Sequence, residues 1–360
     1  MHSADVALAS GAMKLGVIAE NLGEYLALRF NLAPTPLADT QVAFNAARAI
    51  MAGAKLGVFD ALATAPRTAE EIARECGTHP RATTQLLDCL VGLEYLTYAG
   101  GHYENRAVAR KWLVKTSPVS VHDKLVLQFL EWEWMGKLES FVRTGEAIDI
   151  HGTMTPPQWS QYQDAMRAVA AGIAPGIAKK LPVPKGATRM LDIGGSHGLY
   201  SVALCALHPD LESTILELQA ATPRASENLE KLGMSARVKH RAGDALRDDL
   251  GEGVYDFILV SNLVHHFTSE QNVALAARCS RALRPGGRLV IGEYVRREAP
   301  GTGDAIGATM DLYFALTSTS GTWSLGEIAS WQARAGLRTG KAIAFMATPG
   351  FLCQPATKPR

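Results

Sequence analysis

Two segments of the chain carry residue types that could do chemistry together. The first, MLDIGGSHGLYS at 190–201, sets Gly194, Gly195 and Gly198 between a strand-like apolar run and a run of helical character. Glycines at such a junction let the backbone turn sharply and approach a ligand closely. The second, DFILVSNLVHHF at 256–267, ends another strand-like run in His265 and His266. A histidine there is a candidate general base, because an imidazole ordinarily titrates near neutral pH. An open α/β sheet collects its binding groups at the carboxyl ends of its strands, so both segments should face one crevice.

Spacing adds two carboxylates. The strand-like run STILEL carries Glu217 at its end, about twenty residues past the glycines, where a carboxylate can accept both hydroxyls of a ribose. A third strand leads into AGDAL and places Asp244 beside the same crevice, where it could face an adenine amino group. The glycines alone fit dinucleotide, flavin and adenosyl cofactors. The full G-x-G-x-x-G is missing, however, since Ser196 takes the middle glycine position and Leu199 the last. That disfavours a pyrophosphate cradle and favours a cofactor without phosphates, such as S-adenosylmethionine.

The histidine pair has competing readings. His265 could be structural, and His266 could serve packing or helix capping. Paired histidines also raise metal binding, but the remaining histidines and acids form no compact ligand set with them, so no metal is expected.

The elements that must position these groups follow from the pattern of the chain. Its 360 residues are 47% hydrophobic and 20% charged, which predicts a globular protein with room for two cores. Lys+Arg 36 against Asp+Glu 35 argues against a nucleic-acid backbone as partner. The five cysteines are scattered without a C-x-x-C pair, so a reducing cytoplasm is the expected location. No uncharged run is long enough for membrane insertion.

Residues 1–40 read as a helical arm, with Leu15, Ile18, Leu22 and Leu26 at helical spacing and a break at the prolines of 31–39. Residues 41–118 read as three helices and a β-wing: AFNAARAIMAGAKLGVFDALA as one amphipathic helix, a capping box at Thr68 and Glu71, a helix capped by Thr78 with Pro80 in its first turn, and a hairpin at Gly100-Gly101. This winged-helix pattern carries only Arg81 on the helix that would read DNA, so a dimerisation role is preferred. Residues 119–184 form a helical linker rich in aromatic groups, and 185–360 alternate strands and helices, which predicts an α/β, Rossmann-like parallel sheet.

Taken together, these motifs resemble the class I S-adenosylmethionine-dependent methyltransferases, and more narrowly the dimeric small-molecule O-methyltransferases of plant phenolic, acetylserotonin and bacterial polyketide pathways. The resemblance runs from about Val42 onward through AGAKLGVFDALA, LDIGGSHG, LEL, GDA, LVHHF, LRPGGRLVIGEYV, MDLYFALTSTSGTWS and ARAGL. It implies a homodimer. Gly194 and Gly198 would contact the methionine and ribose parts of the cofactor, Glu217 the ribose, and Asp244 with Ala245 the adenine. Asp192, Gly195, Leu218 and Ser261 are expected to complete that site. His265 falls on the family's catalytic histidine and Glu293 on the acid that orients it. Met310, Asp311, Phe314 and Trp323 fall on acceptor-pocket positions, with His266, Trp134, Trp159 and Met166 as further candidates.

Three departures accompany the resemblance. His266 and Phe267 replace the aspartate and tryptophan of the motif L-H-D-W, Gln219 replaces a proline, and Thr322 or Trp323 stands where a second acid would flank the histidine.

The implied reaction is methyl transfer to a hydroxyl of an aromatic or polyketide-like molecule, with a flat, largely hydrophobic acceptor. A phenol of pKa about 10 is ionised to about 0.1% at pH 7, a deficit of roughly 4 kcal/mol that a base must offset. Alignment of the reactants can contribute roughly 7–11 kcal/mol. The competing readings are C-, N- or S-methylation, non-methyl chemistry on the same fold, and a winged-helix regulator bound to DNA.

Overall fold

The computed structural model describes residues 16–219, 222–299, 301, 305–318 and 320–360. They fall into two compact units, one spanning 16–130 and one beginning at Glu131.

The first unit is helical with a small hairpin, β1 (Leu96–Ala99) and β2 (His102–Asn105). Phe59, Leu62, Ile72, Leu87, Leu90 and Leu96 make its core. Thr68 and Glu71 form the expected capping box of the helix Ala69–Cys76. Two local expectations are corrected. The segment beginning at Ala43 is two helices, Ala43–Leu56 and Val58–Ala61, because Gly57 at φ 84° takes the left-handed conformation that closes the first. Thr78 is not the cap of the next helix: Pro80 occupies its first position, so the cap falls on His79, and the Thr78 hydroxyl instead pairs with that of Thr83. In the arm, Leu15 lies outside the described residues. Ile18 precedes the helix Leu22–Arg29, which buries none of its residues, and Ile18, Leu22 and Leu26 are all exposed.

The second unit is built on a sheet of β3 (Arg189–Ile193), β4 (Glu212–Glu217), β5 (Val238–Ala242), β6 (Tyr255–Ser261), β7 (Leu283–Tyr294), β8 (Arg338–Thr339), β9 (Ile343–Ala344) and β10 (Phe351–Thr357). The order β5-β4-β3-β6-β7 is parallel, as expected. The alternation does not hold to the end: β10 runs antiparallel to β7, and β8 and β9 pair antiparallel with β10. The sheet is therefore mixed. Only a β–helix–β crossover enforces parallel strands, and a short return from β9 to β10 imposes no such constraint.

Alternate residues of the central strands enter opposite cores. Leu191, Ile193, Ile258 and Val260 pack on one face with Leu275, Cys279 and Trp331, and Met190, Phe257 and Leu259 on the other with Leu204 and Tyr200. Burial on both faces is what makes these strands read as continuous apolar runs. After β3 the chain moves outward through β4 and β5, then returns to β6 on the other side of β3. That reversal opens a crevice at the carboxyl ends of β3 and β6, the usual ligand position of such sheets.

Candidate active site

Every strand-end residue singled out above lies on this edge. Gly194 follows β3 at φ 70° and donates its N–H to Leu216 O at 2.9 Å, while Gly198, at φ 74°, caps the helix Leu199–Leu207. Packing leaves little room for a side chain at these glycines. A Cβ on Gly195 would stand 2.6 Å from the Asp192 carboxyl carbon, one on Gly198 would stand 2.9 Å from Ile215 and Leu229, and one on Gly194 would touch Leu263 at 3.0 Å.

Asp192 lies beneath this loop. It is buried, accepts a hydrogen bond from Ser201 Oγ at 2.7 Å, and leaves Oδ1 without a partner among the described residues. Burial pushes its carboxyl up to about 7, against the opposing pull of the Ser201 bond.

Glu217 has a defined aim. Its Oε2 accepts the N–H of Ser196 at 2.9 Å and its Oε1 that of Leu218 at 2.8 Å. Burial raises its carboxyl, and these two donors oppose the rise. Each oxygen keeps a free lone pair. Ser196 sits at φ 42°, and His240 on β5 donates from Nε2 to its carbonyl at 2.8 Å. Asp244 follows β5, accepts the N–H of Leu246 at 2.8 Å and faces Arg247 at 3.4 Å, beside the buried Ala245. Ser261 ends β6 next to Asn262, whose φ of 50° turns the chain toward the histidines.

His265 is held from several sides. Its Nδ1 donates to Glu293 Oε2 at 2.8 Å, and both side chains are buried, at 3% and 0% exposure. The other oxygen, Oε1, accepts the Tyr294 N–H at 3.0 Å. Phe314 stacks on the imidazole at 3.9 Å between centroids. Asn272 and Trp323 both donate to Val264 O, which fixes the turn carrying the histidine. Among the described residues Nε2 of His265 has no hydrogen-bond partner.

The acceptor candidates separate into groups. Phe314 and His266 touch His265 directly, and Trp159 reaches them through His151, 5.3 Å from its ring. Asp311 is engaged by the backbone N–H and hydroxyl of Thr322, so Thr322 is tied to Asp311 and makes no hydrogen bond to His265. Trp323 is tied to Val264 and packs edge-on against Trp331 at 5.0 Å, a buttress of the histidine turn. Met310 shares the helix of Phe314, Met166 that of Trp159, and Trp134 is buried at 8% exposure.

His151 was missed by sequence reasoning. It meets His266 edge-on at 4.7 Å and lies against Trp159 and Tyr162. Nothing in a lone histidine more than a hundred positions from LVHHF signals such a contact. Burial, then the nearby His265 and His151 rings, hold His266 well below the ordinary imidazole range; burial and His265 lower His151 as well. No cluster of three or more His, Cys, Asp or Glu among the described residues is arranged to hold a metal, and no described helix is long and apolar enough to cross a membrane.

With the site in view, likeness to known proteins is informative. The chain matches the O-methyltransferase dimerisation domain over 38–115, the segment with the winged-helix pattern, and the O-methyltransferase domain over 153–337. It is 27% identical over 332 residues to the 3-hydroxy-5-methyl-1-naphthoate 3-O-methyltransferase of Streptomyces sahachiroi, covering 88% of this chain and 93% of that one. It is 30% identical over 311 residues to the 2,7-dihydroxy-5-methyl-1-naphthoate 7-O-methyltransferase of Streptomyces carzinostaticus, covering 80% and 88%. The crystal structure of human N-acetylserotonin methyltransferase in complex with S-adenosylmethionine shares the fold, with a TM-score of 0.81 at 19% identity over 96% of this chain and 100% of that one. The chain belongs to the S-adenosylmethionine-dependent O-methyltransferases that carry an N-terminal dimerisation domain.

Proposed function

We propose that this protein, as a homodimer, methylates a hydroxyl of an aromatic or polyketide-like small molecule, with His265 as general base. The observation that carries the reading is the buried His265–Glu293 pair at 2.8 Å, with Nε2 left unpartnered. A carboxylate can only accept, so it fixes the proton on Nδ1 and leaves Nε2 bare.

The residues at the glycine loop fit an adenosyl cofactor: Glu217 keeps two lone pairs for ribose hydroxyls, and Asp244 stands at the next strand end. When bound, S-adenosylmethionine supplies a methyl group on a sulfonium centre that leaves as a neutral thioether. Nε2 of His265 takes the proton of the acceptor hydroxyl, a contribution of about 10²–10⁴ in rate. Glu293 faces the imidazolium that results. Phe314 and the aromatic groups around His151 support a flat acceptor.

The test is incubation with labelled S-adenosylmethionine and a panel of phenols, hydroxyquinolones, thiols and polyketides, read by mass spectrometry. The expected product carries the label on oxygen. The His265→Ala variant should lose turnover while keeping cofactor affinity, and unchanged turnover would remove the base assignment.

A further inference from the structure

Ser196, in the glycine loop, is held from two strands through its backbone. Its N–H donates to Glu217 Oε2 on β4 at 2.9 Å, and its carbonyl accepts from His240 Nε2 on β5 at 2.8 Å. The residue sits at φ 42°, in the left-handed region that a residue with a side chain adopts reluctantly. β5 is the outermost strand on this side of the sheet. There His240 stands opposite Ile215, whose side chain lies beneath Gly195 and Gly198, so the imidazole shares the face of the sheet that carries the loop.

A carbonyl only accepts, so the proton of His240 is fixed on Nε2 and Nδ1 is a bare acceptor. Nδ1 is buried and has no hydrogen-bond partner among the described residues. Burial holds the imidazole below its ordinary range, against the pull of the Ser196 bond, so the ring is neutral at pH 7 and no second proton occupies Nδ1. A buried acceptor without a donor is destabilising, and a phenylalanine would fill a similar volume without one. What the imidazole supplies and an apolar ring does not is the Nε2–H on Ser196.

We propose that His240 is a positioning residue for the cofactor: it holds the carbonyl of Ser196 so that the N–H of the same residue orients Glu217 toward the ribose hydroxyls. Without the His240 bond, Ser196 can leave its left-handed conformation. Its N–H then turns from Glu217, and the carboxylate keeps only the Leu218 N–H as a guide. The imidazole thus acts through one backbone residue rather than by contact with the cofactor. This rests on the assignment of Glu217 to the ribose.

The test is a double-mutant cycle on the full chain, read by titration calorimetry with S-adenosylhomocysteine. His240→Phe should weaken binding roughly tenfold, the loss expected when a neutral hydrogen bond goes and its buried carbonyl is left without a donor. His240→Gln brings an amide nitrogen to about the place of Nε2 and should stay within about threefold of the parent. In a Glu217→Ala background, His240→Phe should cost less than about twofold more, because the group it orients is gone. A thermal melt checks that each variant folds; His240→Asn, whose amide reaches only as far as Nδ1, replaces the phenylalanine variant if that one does not. Three results would overturn the proposal while Glu217→Ala itself weakens binding: His240→Phe within about twofold of the parent, a glutamine as weak as the phenylalanine, or the full tenfold loss repeated in the Glu217→Ala background. Unchanged affinity in Glu217→Ala alone would instead remove the ribose assignment, and this proposal with it.

Discussion

Glu293 offers the sharpest test of the catalytic edge, because its two oxygens face different donors and a glutamine cannot satisfy both. Oε2 accepts from His265 Nδ1 at 2.8 Å, and Oε1 accepts from the Tyr294 backbone at 3.0 Å. The backbone N–H cannot reverse. In Glu293→Gln the amide oxygen is therefore drawn to Tyr294, and the amide NH₂ is turned toward Nδ1. His265 must then carry its proton on Nε2, where it cannot act as a base.

The opposite amide orientation also fails. It preserves the tautomer but leaves no negative charge opposite the imidazolium. Two unit charges at 2.8 Å attract by about 6 kcal/mol at an effective dielectric of about 20. If relaxation leaves about half of that, the loss is roughly a hundredfold. Both orientations thus converge on a fall in kcat of about 10²–10⁴. Single-turnover kinetics with saturating cofactor measures it, alongside calorimetry with S-adenosylhomocysteine, whose affinity should stay within about threefold, and a thermal melt to confirm folding. A variant that keeps kcat within about fivefold would refute the argument, since neither tautomer nor charge at Nδ1 could then matter.

Two further outcomes follow from the cofactor loop. Glu217→Ala removes the acceptor shared by Ser196 and Leu218 and should weaken S-adenosylhomocysteine binding by about 10–100-fold in calorimetry, as expected for loss of a charged hydrogen-bonding group; affinity within twofold would remove the ribose assignment. His197 is buried and pushed down to about 4 by burial, with the Arg167 and His240 charges adding to the effect. The fold holds it neutral while the unfolded chain takes up a proton near pH 6.5, so its stability contribution is present above pH 6.5 and lost as pH falls toward 4. The full shift to about 4 corresponds to roughly 3 kcal/mol. His197→Asn keeps an acceptor for Leu199 N and should flatten the acid limb in denaturant melts between pH 4 and 6.5. Asp192 titrates with the opposite sign in this window, so the difference between variant and parent isolates the histidine. Identical acid limbs would refute it.

How much of this was legible in the sequence varied with the range of the interaction. The strand ends could be read, because both faces of the central sheet are buried and the strands show as apolar runs ending in Gly194, Glu217 and Ser261. The glycines of this loop also have a packing reason that the sequence does not display: at Gly195 and Gly198 the missing Cβ makes room for Asp192, Ile215 and Leu229. Errors of one residue arose where two local rules competed, as when Pro80 moved the cap from Thr78 to His79. β10 was unreadable, since Pro355 sits within it. A proline usually marks an edge strand, yet β10 is paired on both sides and the Pro355 carbonyl accepts from Gly340. The contact of His151 with His266 depends on tertiary packing alone and has no local trace.

β10 also determines when the site can exist. Leu352 on β10 stands opposite Glu293 on β7, and the parallel neighbours that hold the cofactor loop all precede it in the chain. During synthesis the glycine loop, Glu217 and both histidines are made before the strand that pairs with β7 beside Glu293. The parallel strands can pair while Glu293 still lacks its neighbour on β10. A reaction that uses Glu293 would therefore wait for β10, which is made after all of the parallel strands.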